Sequence, residues 1–226
     1  MALLPLAVSV GASAAAPCFG RLNETFPFEE VCYKVLINGT GALQLREYAA
    51  GAGAAATLVT FNASNTITVY QEALEMTAFY VIDYFIGASN ALNKSLLSAR
   101  TVPLALRPPS AANPGWLGFM AAAPSKFPPG AALPKPLYGL ELAPLGAGGG
   151  EEAVLIAAKR AVLYETPQPS DFDALCASLK AGVAKQLPGY RVDEASVYTP
   201  THARFFGFEF FGGTFEIECW VGVKKA

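Results

Sequence analysis

Residues 71–106, QEALEMTAFYVIDYFIGASNALNKSLLSARTVPLAL, decide the fold. Leu74, Ala78, Val81 and Phe85 recur at helical spacing, and Phe79, Ile82 and Ile86 widen the apolar stripe. Tyr80, Asp83 and Tyr84 are the only polar-tipped side chains between Thr77 and Gly87. The pattern predicts a long apolar helix stopped by Gly87-Ala88-Ser89-Asn90, a short polar connection, and a strand opening at Thr101-Val102-Pro103. A helix with so wide a stripe must lie on a sheet, and the side it leaves uncovered is the place to look for a ligand.

Working outward, residues 31–37 (VCYKVLI) read as a strand, Asn38-Gly39 as a hairpin turn, and residues 42–48 as a second strand with alternating apolar and polar positions. Residues 49–56 are Gly/Ala-rich and lead into a strand at 57–61. Beyond the helix, 102–106 and 115–121 are strand candidates. Five prolines within 124–136 exclude regular structure there, because proline removes a backbone donor and fixes φ. A short strand at 138–142 and a flexible joint at 146–150 (GAGGG) follow.

The second half repeats this plan. Residues 153–164 are strand-like, and Ser170-Asp171-Phe172-Asp173 is expected to cap a helix whose stripe is Phe172, Leu175, Cys176, Leu179, Val183 and Leu187. Pro188-Gly189 stops it. Residues 191–198 are expected as a strand, 199–213 as a Phe-rich loop or loose hairpin, and 214–223 as a closing strand with Phe215, Ile217, Cys219 and Val221 on one face. The fold class is therefore α+β: two similar halves, about residues 31–145 and 151–223, with the sheet expected to curl into an eight-stranded antiparallel barrel flanked by two helices.

Composition narrows the function. The 226 residues are 53% hydrophobic with a net charge of −2, and no basic run exceeds Lys224-Lys225, which excludes a nucleic-acid partner. Asp83 interrupts the longest internal apolar run, so no transmembrane span is expected. Residues 1–16, with an apolar segment at 3–10 and the small-x-small triplet Ala12-Ser13-Ala14, look like a secretory signal, leaving 17–226 as one domain. Sequons at Asn23, Asn38, Asn62 and Asn93 agree with a secreted glycoprotein, with plastid or cytoplasm as the alternative compartments. Cys18, Cys32, Cys176 and Cys219 lack metal-ligand spacing and allow three full disulfide connectivities. A small loop joining Cys18 to Cys32 is the bridge expected first.

Four segments then fall in register. They are Tyr33-Lys34-Val35-Leu36 with Leu45-Arg46-Glu47-Tyr48; residues 85–90 (FIGASN) with Thr101-Val102-Pro103-Leu104; Pro124-Ser125-Lys126-Phe127 with Leu133-Pro134-Lys135-Pro136; and Tyr198-Thr199-Pro200 with Glu218-Cys219-Trp220. Together they resemble the SOUL haem-binding family, in its plant and algal form. The resemblance implies a distorted barrel of two quasi-repeated halves. It also implies haem or another tetrapyrrole held, without catalysis, in an apolar groove between residues 76–87 of the first helix and the 199–213 segment.

On that reading Met76, Tyr80 and Tyr84 approach the ring from one side of the helix, and Phe206 contributes aromatic cover from the facing segment. His202, the only histidine, is the candidate iron ligand. Arg204 is the cation nearest in sequence for the propionates, and Asp83 opposes them. Enzymatic readings find no support, since one histidine stands without a G-x-S-x-G elbow, a G-x-G-x-x-G turn or a P-loop. The alternative is a secreted interaction module that uses the Pro-rich 108–136 segment or the Phe-rich segment against a protein partner.

Overall fold

The computed structural model describes residues 18–22, 26–30, 33–48, 54–59, 82–96, 103–108, 116–121, 133–137, 153–165, 167–196, 198–205 and 215–226, with backbone alone for 18–22, 26–30, 54–59, 103–106, 116–121 and 203–205. β1 (Cys18–Leu22) and β2 (Phe26–Glu30) pair as a separate two-stranded sheet that the sequence does not announce. β3 (Tyr33–Asn38) and β4 (Leu43–Tyr48) form the expected hairpin, with a bulge between Val35 and Ile37. Its turn uses left-handed φ at Gly41 and Ala42, 65° and 59°.

β5 (Ala54–Val59) precedes helix α1, of which residues 82–86 are described. β6 (Pro103–Arg107), β7 (Trp116–Ala121), β8 (Val154–Leu163), α2 (Pro169–Gln186), β9 (Tyr190–Val192), β10 (Thr201–Phe205) and β11 (Phe215–Lys225) complete the order. Among the described residues nine strands join in one antiparallel sheet ordered β3-β4-β8-β11-β10-β6-β7-β5, with β9 against the far end of β11. The molecule is thus α+β, and among the described residues the sheet runs open from β3 to β5. The pairing order is the same around each helix. β5 and β6, which bracket α1, both pair with β7, while β8 and β10, which stand on either side of α2 and the short β9, both pair with β11, as β9 itself does. The two groups meet at β6 and β10, where Ala105 faces Ala203.

Three sequence expectations are corrected. Of the loop and loose-hairpin readings of 199–213, the loop does not hold at residues 201–205, which are a strand because ladders to β11 and β6 occupy both edges of β10. Helix α2 starts at Pro169 with Gln168 as N-cap, so Ser170 does not cap it; the Asp171 carboxylate accepts from the Gln168 amide at 2.8 Å. The expected 191–198 strand is limited to Tyr190–Val192, after which Ser196 N–H donates to the Asp193 carbonyl and starts a turn. Expected elements at 57–61 and 115–121 appear with shifted ends, and 138–142 and 206–213 lie outside the described residues.

The core lies between α2 and the sheet. Phe172, Leu175, Cys176, Leu179, Val183 and Leu187 pack on Leu43, Leu45, Ala157, Ile217, Cys219, Val221 and Val223. Burying six such side chains supplies on the order of 10 kcal/mol of transfer free energy before chain entropy is subtracted. The helix rides closest at Gly182, where a Cβ would stand 2.5 Å from Leu43 Cδ1. A disulfide, Cys176–Cys219, staples helix to sheet within this core. Of the three full connectivities, only the one that also joins Cys18 to Cys32 contains this bridge; Cys32 and the Cys18 side chain lie outside the described residues. Among the described residues no helix is long and apolar enough to cross a membrane.

Candidate functional site

The end of α1 is built around Asn90. Its side-chain amide donates to the carbonyls of Tyr84 (2.8 Å) and Lys94 (2.9 Å), while its Oδ1 accepts from the Leu92 amide at 3.1 Å. Two further helix-end carbonyls are also capped, Asp83 by the Ser89 amide and Phe85 by the Leu96 amide. Gly87, at φ 102°, is required twice over: a Cβ there would be strained and would meet the Lys94 backbone at 2.6 Å. The strap at 133–137 docks on this corner through Ala91 N–H to the Lys135 carbonyl and Leu137 N–H to the Ser89 carbonyl.

Tyr84 and Phe85 turn inward and are fully buried, in edge-to-face contact at 5.1 Å. The Tyr84 hydroxyl donates to the Pro134 carbonyl at 2.8 Å, and burial pushes its pKa up to about 12. Tyr84 is therefore a neutral anchor for the strap. Asp83 is half-buried beside it. Outward, Ile86 is 48% exposed, and Leu92 and Leu137 on the same corner are 52% and 54% exposed. Met76 and Tyr80 lie outside the described residues.

His202 sits elsewhere. It pairs with Cys219 on β11 and Leu106 on β6, is 3% exposed, and stacks on Phe172 of α2 with ring centroids 4.8 Å apart at 11°. Burial lowers its pKa to about 4, so the ring is neutral at ordinary pH. Sequence reasoning puts His202 and Tyr84 on one groove; the structure commits His202 to the α2 core and Tyr84 to the α1 strap. Arg204 pairs with Ile217 and Leu104 in the same ladders, its side chain lies outside the described residues, and so does Phe206.

A polar group that the sequence reading missed lies on the opposite face of the central strands. Ile217, Cys219 and Val221 face α2, so Glu216, Glu218 and Trp220 alternate to the other side. Glu218 accepts from Arg46 Nη1 and Nη2 (3.0 and 2.7 Å), Arg160 Nε and Nη2 (3.0 and 2.8 Å) and Trp220 Nε1 (2.7 Å). Arg46 also lies 4.4 Å over the Tyr33 ring. Burial alone would raise the Glu218 pKa, but the two guanidiniums hold it down to about 2. The available signal was the charged residues set at period two in TFEIECWVGV, a strand otherwise apolar enough to be central. This carboxylate is saturated by its own chain, so the network reads as structure before chemistry.

Among the described residues no group of three or more His, Cys, Asp or Glu side chains gathers as a metal site. No protein-family model matches the chain, and comparison with curated proteins returns no match.

Proposed function

We propose that this is a SOUL-type, non-enzymatic binder of haem or a related tetrapyrrole, held against the outer side of α1. The observation that carries the reading is the two-sided apolar character of that helix: Tyr84 and Phe85 fill the interior while Ile86 remains half-exposed. A helix apolar all round is covered on both sides, and a flat macrocycle is a cover of suitable chemistry. The matching strand order around α1 and α2 supports the two quasi-repeated halves, and closure of the sheet into the family's barrel belongs to the same proposal.

The residues fit the ring better than the iron. His202 is stacked inside the α2 core and the Tyr84 hydroxyl is held by Pro134, so neither presents a ligand atom outside α1. When bound, haem would supply its own redox and ligand-exchange chemistry; the chain supplies apolar burial. Titrating haemin and metal-free protoporphyrin IX into the protein should give saturable binding of both, within about tenfold of each other, as burial of several hundred Å² of apolar ring predicts. Failure of both to bind overturns the proposal. His202→Ala should leave the Soret position of bound haem unchanged.

The compartment belongs to the same proposal. The buried Cys176–Cys219 disulfide and the exposed sequons Asn38 and Asn93 support export through an oxidising, glycosylating pathway. Intact mass of protein from its native source tests this: a chain beginning at Met1, without glycan and with four titratable thiols, overturns it.

A further inference from the structure

We propose that Asn38-Gly39 is a self-modification site gated by the tail of α2: when the turn unlatches from Gln186, the Gly39 nitrogen displaces ammonia from the Asn38 carboxamide. Asn38 ends β3 and is exposed, and the Asn-Gly pair is a hairpin signal that the ligand reading leaves unused. Glycine is required at 39 by close packing. A Cβ there would stand 2.6 Å from Gln186 Oε1 and 3.0 Å from Leu43 Cδ2, so the helix tail occupies the place of a side chain. The same Gln186 oxygen accepts from the Thr40 amide at 2.7 Å and from the Thr40 hydroxyl at 3.0 Å. The docking of α2 thus obliges the chain to place after Asn38 the one residue with no side chain to hinder attack by its nitrogen.

In the folded chain both reacting groups are engaged. The Gly39 N–H donates to the Leu43 carbonyl at 2.8 Å, which keeps the attacking nitrogen in the hairpin, and Asn38 Oδ1 accepts from Gln44 Nε2 at 3.2 Å, which ties the carboxamide to β4. Leu43 is itself buried beneath α2, so the turn and the helix tail hold each other. Once the turn opens, base removes the Gly39 amide proton and the nitrogen bonds to Asn38 Cγ. The Cγ–Nδ2 bond breaks, Nδ2 leaves as ammonia with a proton from water, and a cyclic imide remains. Water then opens the imide at either carbonyl to give aspartate or isoaspartate. In sum the step is a hydrolysis that consumes water, releases ammonia and changes no oxidation state. Isoaspartate adds a negative charge and routes the main chain through the side chain, so the Asn38–Gln44 pair of the ladder is lost and the opening leaves a permanent mark. A glycan on Asn38 would occupy the same Nδ2, so sugar and imide compete for one nitrogen.

The test uses the full chain made without glycan, incubated at mildly alkaline pH both folded and in denaturant, and mapped for aspartate and isoaspartate at residue 38. The denatured chain should convert at Asn38 faster than at Asn90 or Asn93, which precede alanine and lysine. The folded chain should convert at Asn38 about tenfold more slowly than the denatured one, or slower still. Gln186→Ala, which removes the acceptor of both Thr40 bonds, should raise the folded rate by about tenfold, and Thr40→Val, which removes one of them, by a smaller factor. In wild type the rate should begin to rise at denaturant concentrations below the global transition, where the tail opens alone. Equal rates in the folded and denatured chain, no conversion at Asn38 in either, or a folded rate unmoved by Gln186→Ala overturns the proposal. So does a wild-type rate that rises only with global unfolding, and that series decides alone should Gln186→Ala fail to fold.

Discussion

At the scale of single residues, two buried polar groups set the pH and mutational response. Glu218 neutralises Arg46 and draws Arg160 over it, so Glu218→Gln removes the charge that both guanidiniums were folded around. Breaking one side of a buried ion pair leaves an uncompensated charge, and the expected loss is about 3–5 kcal/mol of unfolding free energy, read from the denaturant midpoint. A loss under about 1 kcal/mol would mean that water reaches the cluster. His202 acts through protonation. Its folded pKa of about 4 lies below the ordinary 6.5, so the unfolded chain takes up the proton first as pH falls. Its contribution is complete above pH 6.5, declines as pH drops toward 4, and amounts to about 3 kcal/mol across that window. His202→Leu should flatten the stability profile between pH 6.5 and 4 relative to wild type, whatever its effect at neutral pH.

At the scale of elements, α2 is held by a matched pair of contacts. Phe172 and Cys176 are one helical turn apart, and they meet His202 and Cys219, which face each other across the β10–β11 ladder. Replacing both cysteines by alanine should cost roughly 4 kcal/mol if the bridge acts by restricting the unfolded chain over its 43-residue separation, and less where the core relaxes. Both sulfurs belong to buried residues, so a mild reductant should attack the bridge only as fast as α2 opens, and the reduction rate should track added denaturant. The stripe of α2 was legible because six apolar side chains at 3.6 spacing leave one reading. The β3–β4 hairpin was legible from alternation and turn chemistry, though its φ-positive residues fell at Gly41 and Ala42. β10 was legible only as a loose-hairpin alternative to a Phe-rich loop, since the pairing that makes 201–205 a strand comes from residues 15 and about 100 positions away, as Ala203 shows with Glu218 and Ala105. The candidate site was legible in its helix and its Gly87–Asn90 stop. It was not legible in the strap at 133–137, because backbone bonds to Ser89 and Ala91 leave no mark on a Pro-rich sequence.

At the scale of the whole molecule, the two halves share ladders and a core instead of touching as separate bodies. β4 is paired to β8 over residues 43–48, and Leu43 and Leu45 complete the core beneath α2. Arg46 from the same strand supplies the first guanidinium of the Glu218 network, and β6 closes against β10 at the other side. The second half alone would therefore expose a strand edge on β8, another on β10, and a buried carboxylate lacking one of its two cations. A cut between Gly149 and Gly150, in the glycine-rich joint, tests this directly. The fragment 150–226 expressed alone should aggregate or remain unfolded, with weak protection of its amides from hydrogen exchange. Co-expressed with residues 17–149 it should be recovered as a one-to-one complex, because the β4–β8 and β6–β10 ladders and the Leu43 and Leu45 contacts re-form between the pieces. The complex should unfold in a single transition whose midpoint depends on concentration, as mass action requires for a bimolecular fold. A fragment 150–226 that folds stably alone would show that the core beneath α2 does not need β4.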